Sequence, residues 1–213
     1  MRYGFKPPFS GMFDNHFTNC MGCPIRSEIW ACLAPLDPWK AAELATRDGV
    51  LDHWGDSVQG ERFFAALESA AFAVDETTCD LYDLINVGLS VVKPDSQFYQ
   101  LVTDTVAWCR QYDDVKRILR KILHKYGHPD CTNLFQNIGI PLAALLKGNL
   151  DEIKTGMDAL NCGFDTDCTC ATAGALIGII REVLGNGSVE VILRRIINST
   201  SQGKFNSFFG RIL

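Results

Sequence analysis

The run Gly60-Glu61-Arg62-Phe63-Phe64-Ala65-Ala66-Leu67-Glu68-Ser69-Ala70-Ala71-Phe72 carries a helix period. Phe63, Phe64, Leu67, Ala70, Ala71 and, just beyond, Val74 recur at i, i+1, i+4, i+7, i+8 and i+11, the spacing of one buried helix face. Phe98, Leu101, Val102, Val106 and Cys109 repeat it, as do Val115, Ile118, Leu119, Ile122 and Leu123, and then Val189, Ile192, Leu193, Ile196 and Ile197. Turn signals separate these stretches: Lys93-Pro94-Asp95, Gly127-His128-Pro129-Asp130 and Gly148-Asn149. No segment alternates apolar and polar residues for long enough to make a strand. The expectation is an all-α, compact multi-helix bundle, and not a coiled coil, because no heptad persists.

The chain has 213 residues, of which 47% are hydrophobic and 21% charged, enough to bury one core without staples. A single helical domain over 1–213 is expected, with 1–24 irregular, a core over 25–180 and a divergent helical tail over 181–213. Met1 to Pro24 holds three prolines and several lone aromatics without a period, and reads as an extended lead-in from which something upstream has been removed. The net charge of −5 argues against sequence-independent nucleic-acid binding, which needs a concentrated basic face. No long uninterrupted apolar stretch occurs, so no membrane partner is expected. An N-terminus without an apolar core is no signal peptide, and nine scattered cysteines fit free thiols in a reducing, cytoplasmic setting. A zinc site from Cys20, Cys23, Cys168 and Cys170 is a minor alternative, because Cys-x-Cys is an unusual second pair.

Chemistry concentrates in Leu160-Asn161-Cys162-Gly163-Phe164-Asp165-Thr166-Asp167-Cys168-Thr169-Cys170-Ala171-Thr172-Ala173-Gly174-Ala175-Leu176-Ile177-Gly178. Gly163 is placed to end one helix in a left-handed conformation. The small residues from Ala171 to Gly178 read as a second helix, with Gly174 and Gly178 facing a close helix contact. Asp165 and Asp167 then lie at a loop-to-helix junction. In regular helix, i and i+2 diverge; in irregular backbone they can converge on one cation. Their hard oxygens suit magnesium, calcium or manganese better than zinc. Helix capping is the plain alternative for an aspartate there.

Gly-x-Asp-Thr-Asp followed by Ala-Gly-Ala-Leu-x-Gly resembles the C-terminal metal motif of the ADP-ribosylglycohydrolases. Ile25-Arg26-Ser27-Glu28-Ile29-Trp30, Ala34-Pro35, Asp37-Pro38, Ala41 to Ala45, Asp48, Asp52-His53, Gly60 to Phe72 and Gly88-Leu89-Ser90 follow the order of a bacterial branch of that family, from about Met21 to Ile180. The resemblance implies an orthogonal helical bundle holding two Mg²⁺ ions, or Mn²⁺, in a cleft for ADP-ribose. It implies hydrolysis of an ADP-ribosyl glycosidic bond in a protein or a small molecule. Asp165 and Asp167 match the family's C-terminal metal ligands; Cys168 stands where threonine is common, so Thr169 or a water is expected to substitute. His53 matches a position near the bound nucleotide, and Asn19, Gly22 and Gly163 are weaker ligand-binding candidates. Arg26 and Glu28 read as structural ion-pair formers. No Thr-Asp-Asp or Ser-Asp-Asp occurs upstream, so half of the metal site is expected to be missing and turnover by this chain to be poor. A non-catalytic binding homologue and a structural fragment are the alternatives.

Overall fold

The computed structural model describes residues 4–75 and 79–186. Local chemistry sets where each helix begins. Asp37 accepts from Lys40 N–H ahead of Pro38, Ser96 from Tyr99 N–H, and Asp114, Asn133 and Asp151 each accept from an orphan N–H of the helix they precede. The helices are α1 (Phe9–Met12), α2 (Ser27–Leu33), α3 (Pro38–Gly49), α4 (Asp56–Ala71), α5 (Leu81–Ser90), α6 (Gln97–Gln111), α7 (Val115–Tyr126), α8 (Leu134–Gly148), α9 (Glu152–Cys162) and α10 (Thr166–Asn186). A 3-10 turn over Pro24–Arg26 leads into α2. Among the described residues the only β-type pairing is an isolated bridge between Cys20 and Asn133. The chain is therefore all-α, as the periodicity predicts.

Two helices are buried nearly all round, and the rest wrap them. The five residues Phe63 to Leu67 on α4 are all fully buried, and α8 buries every residue from Leu134 to Leu145. Helices α2, α3 and α5 pack on α4, while α6, α7, α9 and α10 pack on α8. The stripes on α4, α6 and α7 face this core as expected, although α4 starts at Asp56, a turn before the apolar run. The stripe from Val189 to Ile197 lies outside the described residues. The lead-in is mostly irregular but not idle: Gly11, Cys20, Met21 and Cys23 are buried.

The seam between α2 and α4 holds two buried acids. Glu61 accepts from Cys23 Sγ at 2.8 Å and Trp30 Nε1 at 2.9 Å, and burial above all pushes its carboxyl up to about 8. Glu68, fully buried beside Ser27 with neither oxygen in good hydrogen-bond geometry, is pushed well up by the same cause. Arg26 forms the expected ion pairs, with Asp48 and both oxygens of Asp52; Glu28 makes none among the described residues.

The small-residue helix corrects one expectation. Helix α10 buries Thr172, Ala173, Leu176, Ile177 and Ile180, whereas Gly174 and Gly178 are exposed, and a Cβ added to either would meet nothing within 4 Å among the described residues. The 20-residue span Thr166–Gly185 is also apolar and long enough to cross a membrane; interrupting Thr, Cys and Gly residues hid this from a count of consecutive apolar positions. Its inner face is part of the bundle core, and a core helix meets the same measure.

Close helix contact does occur at Gly139 of α8, where a Cβ would fall 2.9 Å and 3.0 Å from side-chain carbons of the fully buried Ile122. Gly139→Val is expected to destabilise the fold by roughly 1–3 kcal/mol through overpacking. Gly174→Ala, on an open helix face, is expected to gain about 0.5–1 kcal/mol. Denaturant melts of the two variants check both signs.

Candidate metal centre

Helix α9 ends in two consecutive residues of positive φ, although Gly163, at ψ −153°, is more extended than the left-handed helical cap expected. Gly163 has φ 76° and donates its N–H to Leu160 C=O; Phe164 follows at φ 66°, a region that side chains rarely adopt. The reversal delivers Asp165 to the start of α10, where its carbonyl accepts from Thr169 N–H, 3.0 Å, and its own N–H is held by Asn137 Oδ1 at 3.1 Å. Asn137 is fully buried in α8, and its Nδ2 donates to the carbonyls of Cys131 (2.7 Å) and Asn133 (2.8 Å). One side-chain amide thus fixes the loop before α8 and the loop before α10 together.

At that junction Asp165, Asp167 and Cys168 bring potential ligand atoms within 4.8 Å of one another. Among the described residues, no other group of three or more His, Cys, Asp or Glu side chains comes together this way. Asp165 is half-buried and its carboxyl is pushed up, by burial first and then by the neighbouring Asp167. Asp167 is exposed and held below the usual range, chiefly by its hydrogen bond with Asp165. Two carboxylates that close repel unless something positive lies between them. A hard divalent cation fits the two oxygens. Cys168 fits it less well: burial and then Asp165 push the thiol up to about 12, so it stays a neutral S–H donor to Asp165. Thr169 is fully buried with its hydroxyl turned back to Thr166 C=O at 3.4 Å, so the expected substitute oxygen points into the helix.

The weaker ligand-binding candidates come together in part. Segment 19–21 pairs with the loop before α8: Leu134 N–H donates to Asn19 C=O at 2.9 Å, and Met21 N–H to Thr132 C=O at 3.0 Å. Gly22 is exposed above the His53 ring, and a Cβ there would sit 3.5 Å from Nε2. His53 is buried, with Nδ1 2.8 Å from Asp52 Oδ1, so Nδ1 carries the hydrogen that faces the carboxylate. Asp52 in turn is anchored by Arg26; burial alone would raise its carboxyl, but these partners bring it down to about 2. Burial pushes the Cys20 thiol up, and the negative charges of Asp130 and Asp165 add to this. The zinc alternative does not form: Cys23 points at Glu61, Cys170 at Gly156 C=O, and all nine cysteines are unpaired. A hollow of about 620 Å³ lined by Cys79 to Asp83 and Leu146 shares no residue with the centre.

Sequence reasoning missed Asn137, although two asparagines four apart, the second beside Gln136 within a mostly apolar run, are the trace it leaves. Asn137→Ala would leave Cys131 C=O, Asn133 C=O and Asp165 N–H without their partner. A loss of about 2–4 kcal/mol is expected in thermal or denaturant melts.

Comparison with known proteins gives one family match: residues 1–183 match the profile described as ADP-ribosylglycohydrolase. No curated protein and no solved structure matches. The match spans the bundle, the lead-in and the junction that carries Asp165 and Asp167, and the chain belongs to the ADP-ribosylglycohydrolase family.

Proposed function

We propose that this chain is a Mg²⁺-dependent hydrolase of ADP-ribosyl glycosidic bonds, acting on ADP-ribosylated proteins or on small molecules that carry ADP-ribose. The observation that carries this reading is the convergence of Asp165 and Asp167 at a loop-to-helix junction within the family match. Asp165 and Asp167 would hold the cation, and Asn137 would keep Asp165 in place from behind. A bound divalent cation supplies electrostatic polarisation of sugar oxygens and of a water. Gly22 and His53 would line the approach to the nucleotide, where a glycine lets a ligand come close to the backbone.

The described residues offer two hard carboxylates in one cluster, and Mg²⁺ gives up its waters reluctantly to so few. Turnover by this chain is therefore expected to be slow. That same observation favours a second reading, a homologue that binds metal and ADP-ribose without hydrolysis.

Release of ADP-ribose from an ADP-ribosylated peptide, with and without Mg²⁺, tests the proposal. Slow, metal-dependent release that falls at least about a hundredfold in Asp167→Ala is the expected result. Binding of ADP-ribose with no release at all selects the second reading. Release that needs no metal, or that Asp167→Ala leaves unchanged, overturns both the role given to the carboxylates and the proposed reaction.

A further inference from the structure

Helix α7 reverses the sign of the molecule. The whole chain has 20 Lys and Arg against 25 Asp and Glu, yet this helix of 12 residues exposes Lys116, Arg117, Arg120, Lys121, His124 and Lys125 and contains no acid. Its opposite face, Val115, Ile118, Ile122 and Tyr126, is buried in the bundle.

The needs of the helix do not explain these charges. Lys116 and Arg117 occupy the first turn, where the exposed N–H groups favour acids. Lys116 and Arg120, Arg117 and Lys121, and Lys121 and Lys125 stand four apart, so like charges face each other along the surface. Nor do neighbours neutralise them. Arg120 reaches Asp114 only at 3.9 Å and Lys125 pairs with Asp104, but the side-chain charges of Lys116, Arg117 and Lys121 form no ion pair among the described residues. Arg117 and Lys121 instead place their charged groups over the Tyr112 ring, at 4.0 Å and 6.0 Å, a cation–π contact that orients them without cancelling their positive charge.

We propose that the exposed face of α7 docks an acidic segment of a partner protein. Charge complementarity selects an anion, and length selects a short one. The helix spans about 18 Å; Asp113 and Asp114 stand before it and Asp130 follows it. A nucleic acid or an anionic membrane would run past these ends onto an acidic surface, whereas a short acidic segment would not. Lys116, at the start of the strip, shares a hollow with Asp113, Asp114, Lys154 and Asp158 and with Asn161 and Cys162, the residues just before the Gly163 reversal, so the strip is most basic beyond its first turn, at Arg117, Arg120 and Lys121. That the partner is the protein part of an ADP-ribosylated substrate rests on the proposed function; the docking itself does not.

The test uses the full chain and a labelled oligoglutamate peptide, with binding followed by fluorescence anisotropy at low and physiological salt. The peptide is expected to bind, more weakly as salt rises, and to lose about tenfold or more in affinity when Lys116→Gln, Arg117→Gln and Lys121→Gln are combined. Arg117→Lys with Lys121→Arg keeps the charges and should keep the affinity, which separates docking from damage to the helix. Asp165→Asn should bind the peptide as the parent does, so this result stands whether or not hydrolysis is found. If the peptide does not bind, if the neutralised variant binds it equally well, or if single-stranded RNA or anionic vesicles bind more tightly through the same three residues, the proposal is overturned.

Discussion

A single buried amide holds the candidate metal junction of this protein in place. Asn137 stands in the middle of an apolar helix, where an unpaired polar side chain would be costly, and each of its hydrogen bonds goes to a loop. Two bonds fix the turn that enters α8, and the third fixes the backbone of Asp165. Because segment 19–21 pairs with that same turn, the lead-in, the α8 entry and the α10 entry form one connected surface. The bundle beneath is ordinary helix packing around α4 and α8; this surface is what the bundle carries.

Much of that was legible in the sequence, for reasons that particular residues make plain. The stripes on α6 and α7 could be read because one face is buried and the other wet, which leaves a period; α4 is buried nearly all round, and its period shows because Glu61, Arg62, Glu68 and Ser69 interrupt the apolar residues. Helix α8 leaves little period, since it is buried on all sides, and it was bracketed only by the turns at Gly127-His128-Pro129-Asp130 and Gly148-Asn149. Asp165 and Asp167 were legible because they are contiguous with the glycine that positions them. Asn137 was not, because its partners lie in other segments and only the tertiary fold brings them together.

The misreading of Gly174 and Gly178 has the same root. A small residue on a helix signals either a close neighbour or an open face, and composition does not distinguish the two. The structure puts close approach at Gly139 and openness at Gly174. Cys168 and Thr169 show a related limit: adjacent positions on a helix point about a quarter-turn apart, so the order of residues did not reveal that the thiol faces Asp165 while the hydroxyl faces inward. The basic charge of α7 was present in the sequence from the start, but its meaning needed the exposed face and the lack of ion pairs at Lys116, Arg117 and Lys121 among the described residues.

The central claim is that Asp165 and Asp167 form a divalent-metal site and do more than cap a helix. Asparagine caps a helix nearly as well as aspartate but lacks the charge a cation needs, so Asp165→Asn separates the two roles. The direct measurement is a calorimetric titration of the metal-free chain with Mn²⁺ and Mg²⁺, alongside the same titration of Asp165→Asn. Saturable binding by the parent that weakens sharply in the variant, with the melting of the metal-free proteins unchanged, is the predicted result. An equal metal response from both proteins would contradict the account.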